Sequence, residues 1–387
     1  MKHRLSWTPQ KIASRLELVR PLIHQRRAPI PAFRYKALPG PEAPAPVDPG
    51  LDDSDWEEIE PDSHWGAWST DFVLRSRFRV PPDWGGGPIA LHLPPGTAGD
   101  IFTHPESLVY LDGVAHASAD RYHHEIVLPK AYCDGGWHTL ALHGWTGLSG
   151  WPPDPNSETQ LFMRPCSVVQ FDQPTRDFIL LAELSLDFAG AMEDNRPEKR
   201  RILNALDAAF RTLDTRDPVG GEPFYDSVPA ALDVLKQGLD DAGAPMDVDI
   251  VAVGHAHMDI AYLWRVAQVR LKCGRTFSNV LRLMDAFPDY RFSHSQPQLY
   301  KFTEQDHPEI FEGIRQRVAD GRWEPVGGMW VEADCNVTGA ESLVRQLLLG
   351  RSYFRDRFGD AETPVLWLPD TFGFIWSLPQ LMKQAGL

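Results

Sequence analysis

The sequence has little cysteine and no Cys-x-x-Cys pair. Its 387 residues include four cysteines, which are widely separated along the chain: Cys133, Cys166, Cys273 and Cys335. This spacing argues against a disulfide framework and against a thiolate zinc site, and it favours a reducing compartment. We therefore expect a cytoplasmic protein.

Dense basic runs and long apolar runs are also missing. The net charge is −15, whereas a nucleic-acid or anionic-membrane partner would need a positively charged surface. No stretch approaches the length of a membrane span, and the N-terminus lacks the continuous apolar core of a signal peptide. We expect neither nucleic-acid nor membrane binding. A neutral ligand such as a sugar is compatible with this charge, and formation of a homo-oligomer stays open.

Proline and tryptophan are abundant, with 34 and 13 residues, and the chain is long enough for two or three domains. Apolar residues at helical spacing followed by a Pro-rich stretch predict an N-terminal helix and a linker in residues 1–50. Between residues 51 and 175 the apolar period becomes two, as in DFVLRSRFRV, where arginines alternate with apolar side chains. Short strands divided by Gly and Pro turns predict an antiparallel β-sandwich there.

The second half of the chain changes period twice. Residues 176–246 return to helical spacing, which predicts a helical connector. From residue 247 onward four apolar runs, VDIVAVG, YRFSHS, WEPVGG and VLWLPD, alternate with helical patterns. Such alternation predicts parallel βα units. Four units are too few for a closed barrel, and the last helical pattern reaches Leu387, so we expect an incomplete β/α domain within a multidomain fold.

Metal-ligand residues follow the first of these runs, in GHAHMD at residues 254–259. In an extended backbone every second side chain lies on the same side, so His255, His257 and Asp259 can converge on one point. Imidazoles and a carboxylate suit zinc, cobalt or manganese. A hydrogen-bonded loop or a helix cap is the structural alternative. Placement at the end of a parallel strand favours the metal site.

Carboxylates also follow the third and fourth runs. Asp370 lies in LPDTFG, between a predicted strand and a predicted helix. Alone, such a residue is most often an N-cap. Together with the histidines after the first run, it is better explained as a third metal ligand or a reacting carboxylate. Glu332 and Asp334 follow the third run, and the sequence leaves open whether they contact substrate or cap a loop.

Four motifs in order carry a family resemblance: GHAHMDIAYLW, FSHSQPQLYKF, GRWEPVGGMWVEADCNVTGAESLVRQLLLG and WLPDTFGFIWSLPQL. Over about 140 residues they resemble the opening of the catalytic domain of glycoside hydrolase family 38, the class II α-mannosidases, and most closely the cytosolic and bacterial branch. The resemblance implies that residues 247–387 are the N-terminal portion of a parallel, seven-stranded-barrel-like β/α domain. The preceding β-rich part is similar to that branch's N-terminal domain, through weaker motifs.

The resemblance also implies roles for single residues. His257 and Asp259 match two zinc ligands, and Asp370 matches the carboxylate that both binds zinc and attacks the anomeric carbon. His255 matches a family histidine that supports the ligands from behind without binding the metal. Two further positions match aromatic residues of the sugar site: Tyr262, where the family commonly has Trp, and Phe372.

The implied reaction is metal-dependent hydrolysis of terminal α-mannosides in oligosaccharides with retention of configuration. Zinc is the expected cofactor, with cobalt as the alternative, and a mannose-containing oligosaccharide is the expected substrate. The family's fourth zinc ligand and its acid/base aspartate lie beyond the matched motifs. We therefore expect a truncated chain that is inactive alone.

Two other functions fit parts of the sequence. A carbohydrate-binding or assembly module would use tryptophans of the β-rich part: Trp65, Trp68, Trp84, Trp137, Trp145 and Trp151. Packing in the core is the simpler explanation for any one of them. A metal-dependent amidohydrolase also begins with His-x-His after a strand. It needs further histidines at later strand ends, and His294 lies inside the second predicted strand.

Overall fold

The computed structural model describes the following residues: 7–85, 87–94, 96, 104–150, 152, 154, 161–216, 218–244, 246, 248–262, 264–359 and 363–387. These residues form a mixed α/β structure with nine α-helices and several antiparallel sheets. Within this described part, no helix combines the length and apolar character needed to cross a membrane.

The first half of the chain contains helix α1 (Thr8–Val19) and then the β-rich part. Its strands are β1 (His24–Pro29), β2 (Phe33–Leu38), β3 (Glu57–Ile59), β4 (Ser63–Trp65), β5 (Asp71–Phe78), β6 (Ile89–His92), β7 (Glu106–Leu111), β8 (Val114–Ala119), β9 (Glu125–Val127), β10 (His138–Trp145), β11 (Leu161–Met163) and β12 (Ser167–Phe171). Strands β1 and β2 lie inside the range predicted as helix and linker. Strand β1 pairs with β12, and β2 pairs with β3 and β5. Local sequence does not reveal the partner of β1, which lies more than a hundred residues later.

Two antiparallel sheets enclose the largest apolar core. Their strand orders are β1-β12-β6-β9 and β3-β2-β5-β10-β7-β8, and β4 pairs separately with β11. The predicted antiparallel pairing is confirmed. Phe72, Leu74 and Phe78 of β5 are buried in this core, as their alternation predicts. Arg75 faces the other way and is also buried, since segment 46–53 covers that face and Asp53 pairs with its guanidinium at 2.7 Å.

A separate helical core follows. It contains α2 (Gln173–Ala191), α3 (Pro197–Thr212) and α4 (Glu222–Ala242). Helix α1 belongs to the same apolar cluster through Ile12, Leu16 and Val19. The N-terminal helix therefore packs onto the predicted connector instead of standing apart from it.

In the described residues of the C-terminal part, two of the four predicted strands are present. Its elements are α5 (Val266–Ala286), β13 (Phe292–His294), α6 (Pro297–Asp306), α7 (Pro308–Ala319), β14 (Trp323–Pro325), α8 (Ala340–Phe358) and α9 (Leu378–Gln384). Strands β13 and β14 pair in parallel. The first predicted strand contributes a single parallel bridge, from Gly254 to Phe292, and residues 365–370 form no ladder. Apolar composition predicted strands at both places, but a ladder also needs a paired neighbour.

Helix α5 joins the C-terminal part to the β-rich part through buried and partly buried polar contacts. Lys272 and Arg275 reach Glu106 of β7 at 3.2 and 3.0 Å. Burial raises the pKa of Glu106, but the two cations outweigh it and hold this pKa at about 2. Gln268 donates to Asp71 of β5 at 2.7 Å. These contacts fix the helix that follows the loop containing GHAHMD (residues 254–259). The β-rich part therefore helps to hold that loop in place.

Candidate metal centre

Side chains from neighbouring segments contact the backbone carbonyls of the loop after Gly254. The contacts that hold the loop therefore do not involve the candidate ligand side chains of His257 and Asp259. His294 contacts the carbonyl of Ala256 through Nε2 at 2.8 Å. Gln296 donates to the carbonyl of Met258 at 2.8 Å, and Trp264 donates to that of Asp259 at 3.1 Å. Because these partners restrain the carbonyls, the loop presents its side chains from a fixed backbone.

Three ligand atoms from this loop and a distant segment lie together. His257, Asp259 and Asp370 each offer one atom within 4.8 Å of the others. Nε2 of His257 lies 3.3 Å from Oδ1 of Asp259 and 3.5 Å from Oδ2 of Asp370. The structure therefore brings together the three residues that the sequence singled out as metal ligands.

His255 lies behind this cluster. Its Nδ1 donates to the carbonyl of Ser293 at 2.8 Å, and its ring stacks on His294 and contacts the edge of Trp367. Its Nε2 is buried and has no hydrogen-bond partner in the described part of the chain. His255 thus lies between the first and fourth predicted strands, in contact with Ser293, His294 and Trp367.

The two predicted sugar-site aromatics are exposed. Phe372 is 94% exposed, two residues after Asp370. Tyr262 is also exposed, and its ring packs edge-on against Trp264 at 5.9 Å. Because Trp264 in turn donates to the Asp259 carbonyl, Tyr262 lies at the edge of the ligand loop.

The structure distinguishes the two carboxylates that the sequence left open. Asp334 accepts from the backbone amides of Asn336 and Val337 at 3.0 and 3.3 Å, so it caps a loop. Glu332 instead places Oε2 3.3 Å from Nδ1 of His257. The only sequence signal for this contact was the position of Glu332, a carboxylate that follows the end of a predicted strand.

Negative charge accumulates at the cluster. Burial is the largest cause that raises the pKa of Glu332. The neighbouring carboxylates of Asp259 and Asp370 raise it further, while a hydrogen bond from Ser295 and the charge of His257 oppose the change. Three carboxylates around one imidazole form a site that a cation would neutralise.

Sequence reasoning missed Ser295 and Gln296, which connect the pieces of the site. Ser295 donates to Oε1 of Glu332 at 2.8 Å, and the amide oxygen of Gln296 accepts from the Glu332 backbone at 3.3 Å. Gln296 is buried and has a φ of 63°, which is unusual for a residue other than glycine. Such strain often marks a functional region.

His294 is unavailable as a metal ligand. Both of its ring nitrogens lie 2.8 Å from backbone carbonyls, those of Ser295 and Ala256, and the residue is fully buried. The amidohydrolase hypothesis needed a further histidine ligand of this kind, so the arrangement disfavours it.

Close backbone packing fixes the loop that carries Glu332. A Cβ at Gly350 of α8 would lie 2.6 Å from the carbonyl oxygen of Gly328 and 2.9 Å from the amide nitrogen of Trp330. Gln346, one turn earlier, accepts from the Trp330 amide at 2.9 Å. Helix and loop therefore touch at a point where no side chain fits.

We expect Gly350→Ala to destabilise the protein by about 1–3 kcal/mol, because the added methyl forces α8 away from this loop. Denaturant unfolding measures the change. The matched control is Gly190→Ala in α2, where a Cβ meets no atom within 4 Å; it should be neutral or stabilising by up to about 1 kcal/mol. Equal stability of the two variants would contradict the close packing.

The fold and the site together define an α/β protein with a His-Asp-Asp cluster beside parallel strands. Residues 247–387 match the family model described as "Glycosyl hydrolases family 38 N-terminal domain". Over these residues the chain is similar to the N-terminal domain of glycoside hydrolase family 38.

Named relatives agree with this family. Alpha-mannosidase G of Dictyostelium discoideum is 41% identical over 136 residues, which are 35% of this chain and 12% of that protein. Alpha-mannosidase of Saccharomyces cerevisiae is 29% identical over 340 residues, 83% of this chain and 30% of that protein. Alpha-mannosidase 2C1 of Homo sapiens is 32% identical over 235 residues, 61% of this chain and 22% of that protein. The chain thus spans less than a third of the length of each.

Proposed function

We propose that the cluster of His257, Asp259 and Asp370 is the metal and nucleophile part of a retaining α-mannosidase site that acts on terminal α-mannosides in oligosaccharides. The observation that carries this proposal is the convergence of their ligand atoms within 4.8 Å, inside the segment that matches family 38. The names of the relatives support the sugar specificity.

The residues fit a zinc or cobalt ion. Bonds of about 2.0–2.1 Å at a tetrahedral angle separate two ligand atoms by roughly 3.3 Å. The distances from His257 Nε2 to the oxygens of Asp259 and Asp370, 3.3 and 3.5 Å, match this value. A bound cation would act as a Lewis acid toward sugar hydroxyls and hold the ring in place.

Asp370 is suited to attack. Its side chain is 47% exposed, so a sugar can reach the carboxylate. Its oxygen would form an ester with the anomeric carbon as the glycosidic bond breaks, and water would then hydrolyse the ester with net retention. Tyr262 and Phe372 present exposed rings that would stack on the sugar.

Protonation of the departing oxygen needs a second carboxylic acid. Glu332 is the other carboxylate that contacts the cluster in the described part of the chain, but its side chain is only 8% exposed and faces His257. We therefore assign it no proton transfer to substrate. His255 would support the ligand loop from behind.

We further infer three packed units: a sandwich formed by residues 51–175 together with β1 and β2, a helical connector 176–246 against which α1 packs, and the barrel-like β/α domain 247–387. The parallel pairing of β13 with β14, extended by the Gly254 bridge, supports the β/α assignment. The four cysteines are free and three of them are buried, which supports a cytoplasmic, reducing environment.

The test is whether 4-nitrophenyl α-D-mannoside binds in a metal-dependent way. Saturation-transfer NMR measures this binding. With zinc present we expect saturation transfer to the sugar protons, and we expect it to disappear with a chelator and in Asp370→Ala. The α-D-glucoside, which differs only at C2, is the matched control ligand and should bind more weakly. Binding that ignores both the chelator and the substitution would refute the metal-site proposal.

A second candidate function, carbohydrate binding by the β-rich part, is favoured by one tryptophan. Trp137 is 56% exposed and borders a groove of about 430 Å³ that also contains Arg34, Glu58 and Arg77. By contrast, Trp65 is fully buried, and Trp151 lies outside the described residues. Binding that survives chelation but is lost in Trp137→Ala would support this function instead.

A further inference from the structure

The arginines that alternate with apolar residues in β5 line one face of the six-stranded sheet. Arg75 and Arg77 in the strand, and Arg79 directly after it, are spaced by two residues, so their side chains lie on the same side. Arg75 lies opposite Arg34 of β2, and Arg77 lies opposite Thr139 of β10. Because opposed residues of paired strands share a face, Arg34, Arg75, Arg77 and Thr139 all line the groove of about 430 Å³ on this side of the sheet.

Two of these cations are neutralised within the protein. Arg34 pairs with Glu58 at 2.6 Å, and Arg75 pairs with Asp53 at 2.7 Å. Arg75 is buried and also donates to the carbonyl of Pro46. The charges of Arg34 and Arg75 therefore contribute little attraction for a ligand in the groove.

Arg77 and Arg79 keep an uncompensated charge. Both are exposed, and neither forms an ion pair with a carboxylate in the described part of the chain. The guanidinium of Arg79 lies over the ring of Trp137, 5.0 Å from its centroid, which continues the pairing of β10 with β5 by two residues. The chain as a whole carries a net charge of −15. Two unpaired cations beside one groove are therefore a local feature of this surface, and they do not follow from composition.

A phosphorylated sugar matches the chemistry of this end of the groove. Trp137 is 56% exposed although Arg79 covers part of its ring, so the open part can pack against a sugar. Guanidinium groups bind phosphate and carboxylate through two parallel hydrogen bonds. Two unpaired guanidinium groups suit a phosphate monoester best, because it carries a charge of about −1.5 to −2 at neutral pH. A carboxylate would neutralise only one of them.

We propose that the groove beside Arg77, Arg79 and Trp137 is a binding site for a phosphorylated saccharide. The two arginines would hold the phosphate, and the ring of Trp137 would lie against the sugar. The inference deepens the second candidate function, carbohydrate binding by the β-rich part, and rests on it. The groove is lined by residues of the β-rich part, so binding here would need no metal.

The test is calorimetric titration of the protein with mannose 6-phosphate, mannose and inorganic phosphate, after metal has been removed on a chelating resin. Without metal, the candidate metal centre contributes no metal-dependent binding. We expect mannose 6-phosphate to bind at least about 10-fold more tightly than mannose, since a hydrogen bond to a charged group contributes about this factor. Its affinity should fall as the salt concentration rises.

Variants locate the site. Arg77→Ala should weaken binding of mannose 6-phosphate by about 10-fold or more. Arg77→Lys, which keeps the charge but lacks the planar fork, should lie between this variant and the unaltered protein. Trp137→Ala should weaken binding of mannose 6-phosphate and leave the affinity for inorganic phosphate unchanged. Arg200→Ala is the matched control at an exposed arginine of α3 and should bind like the unaltered protein. Circular dichroism establishes that each variant is folded.

Three results would overturn the inference. They are equal affinities for mannose and mannose 6-phosphate, equal behaviour of Arg77→Ala and Arg200→Ala, and binding of inorganic phosphate as tightly as the sugar phosphate. Failure of the underlying function has a different signature. If mannose binds through Trp137 with no gain from the phosphate, carbohydrate binding by the β-rich part stands and only the inference fails. If neither sugar binds, both fail.

Discussion

An activated 5-fluoro-α-mannosyl fluoride is expected to attach one sugar covalently to Asp370 of the zinc-loaded protein. Fluoride leaves without being protonated, so this reaction needs the nucleophile but no acid partner. The ring fluorine withdraws electrons from the anomeric centre and slows hydrolysis of the ester, which lets it accumulate. Intact-protein mass spectrometry measures the label, and peptide mapping locates it.

Asp370→Asn should abolish this label. Asp334→Asn is the matched control, because Asp334 is two residues from Glu332 in the chain but caps a loop, and it should be labelled like the unaltered protein. Labelling that persists in Asp370→Asn, or that maps to another residue, would refute the assignment of the nucleophile. Absence of label in the unaltered protein would count against a retaining mechanism at this site.

Asp259→Asn is expected to weaken zinc binding by more than the roughly 10–100-fold that the loss of a supporting residue costs. The substitution replaces a charged ligand oxygen by a neutral amide at the centre of the cluster, where the ligand atoms lie within 4.8 Å. Competition with a chromophoric chelator measures the affinity.

Asp289→Asn serves as the control for the change of charge, since Asp289 is exposed on the turn that precedes β13. It should bind zinc with unchanged affinity. If Asp259→Asn and Asp289→Asn bound zinc equally well, the ion would have to occupy a different place, and the proposed role of the cluster would fail.

The hydrophobic pattern of the sequence predicted those strands and helices whose formation depends on neighbouring residues. The alternation around Phe72 and Leu74 predicted a strand and its buried face. The same alternation placed Arg75 on the opposite face but did not reveal that residues 46–53 cover this face and that Asp53 pairs with the guanidinium. The charged strand His24–Pro29 was missed because its pairing with Ser167–Phe171 is a contact between remote parts of the chain.

In the candidate site, too, contacts between residues close in the sequence were predictable, and contacts made only by the fold were not. His257 and Asp259 are two residues apart, so their proximity follows from spacing, while Asp370 required the recognition of a motif more than a hundred residues later. The role of Glu332 was undecidable from sequence, because Glu332 and Asp334 have similar local surroundings. Only the fold places one against His257 and the other against backbone amides.

The clustered ligands also have a thermodynamic consequence. Asp259 lies beside the apolar cluster that includes Met258, while Asp370 follows Leu366 and Leu368, which pack with Leu347 and Leu378 in a different cluster. A cation held by both would act as a reversible cross-link between two separately packed regions. Its contribution would follow mass action, about 2.7 kcal/mol when the free ion is at a hundred times its dissociation constant. The concentration of free metal would then set how tightly the two regions are held together.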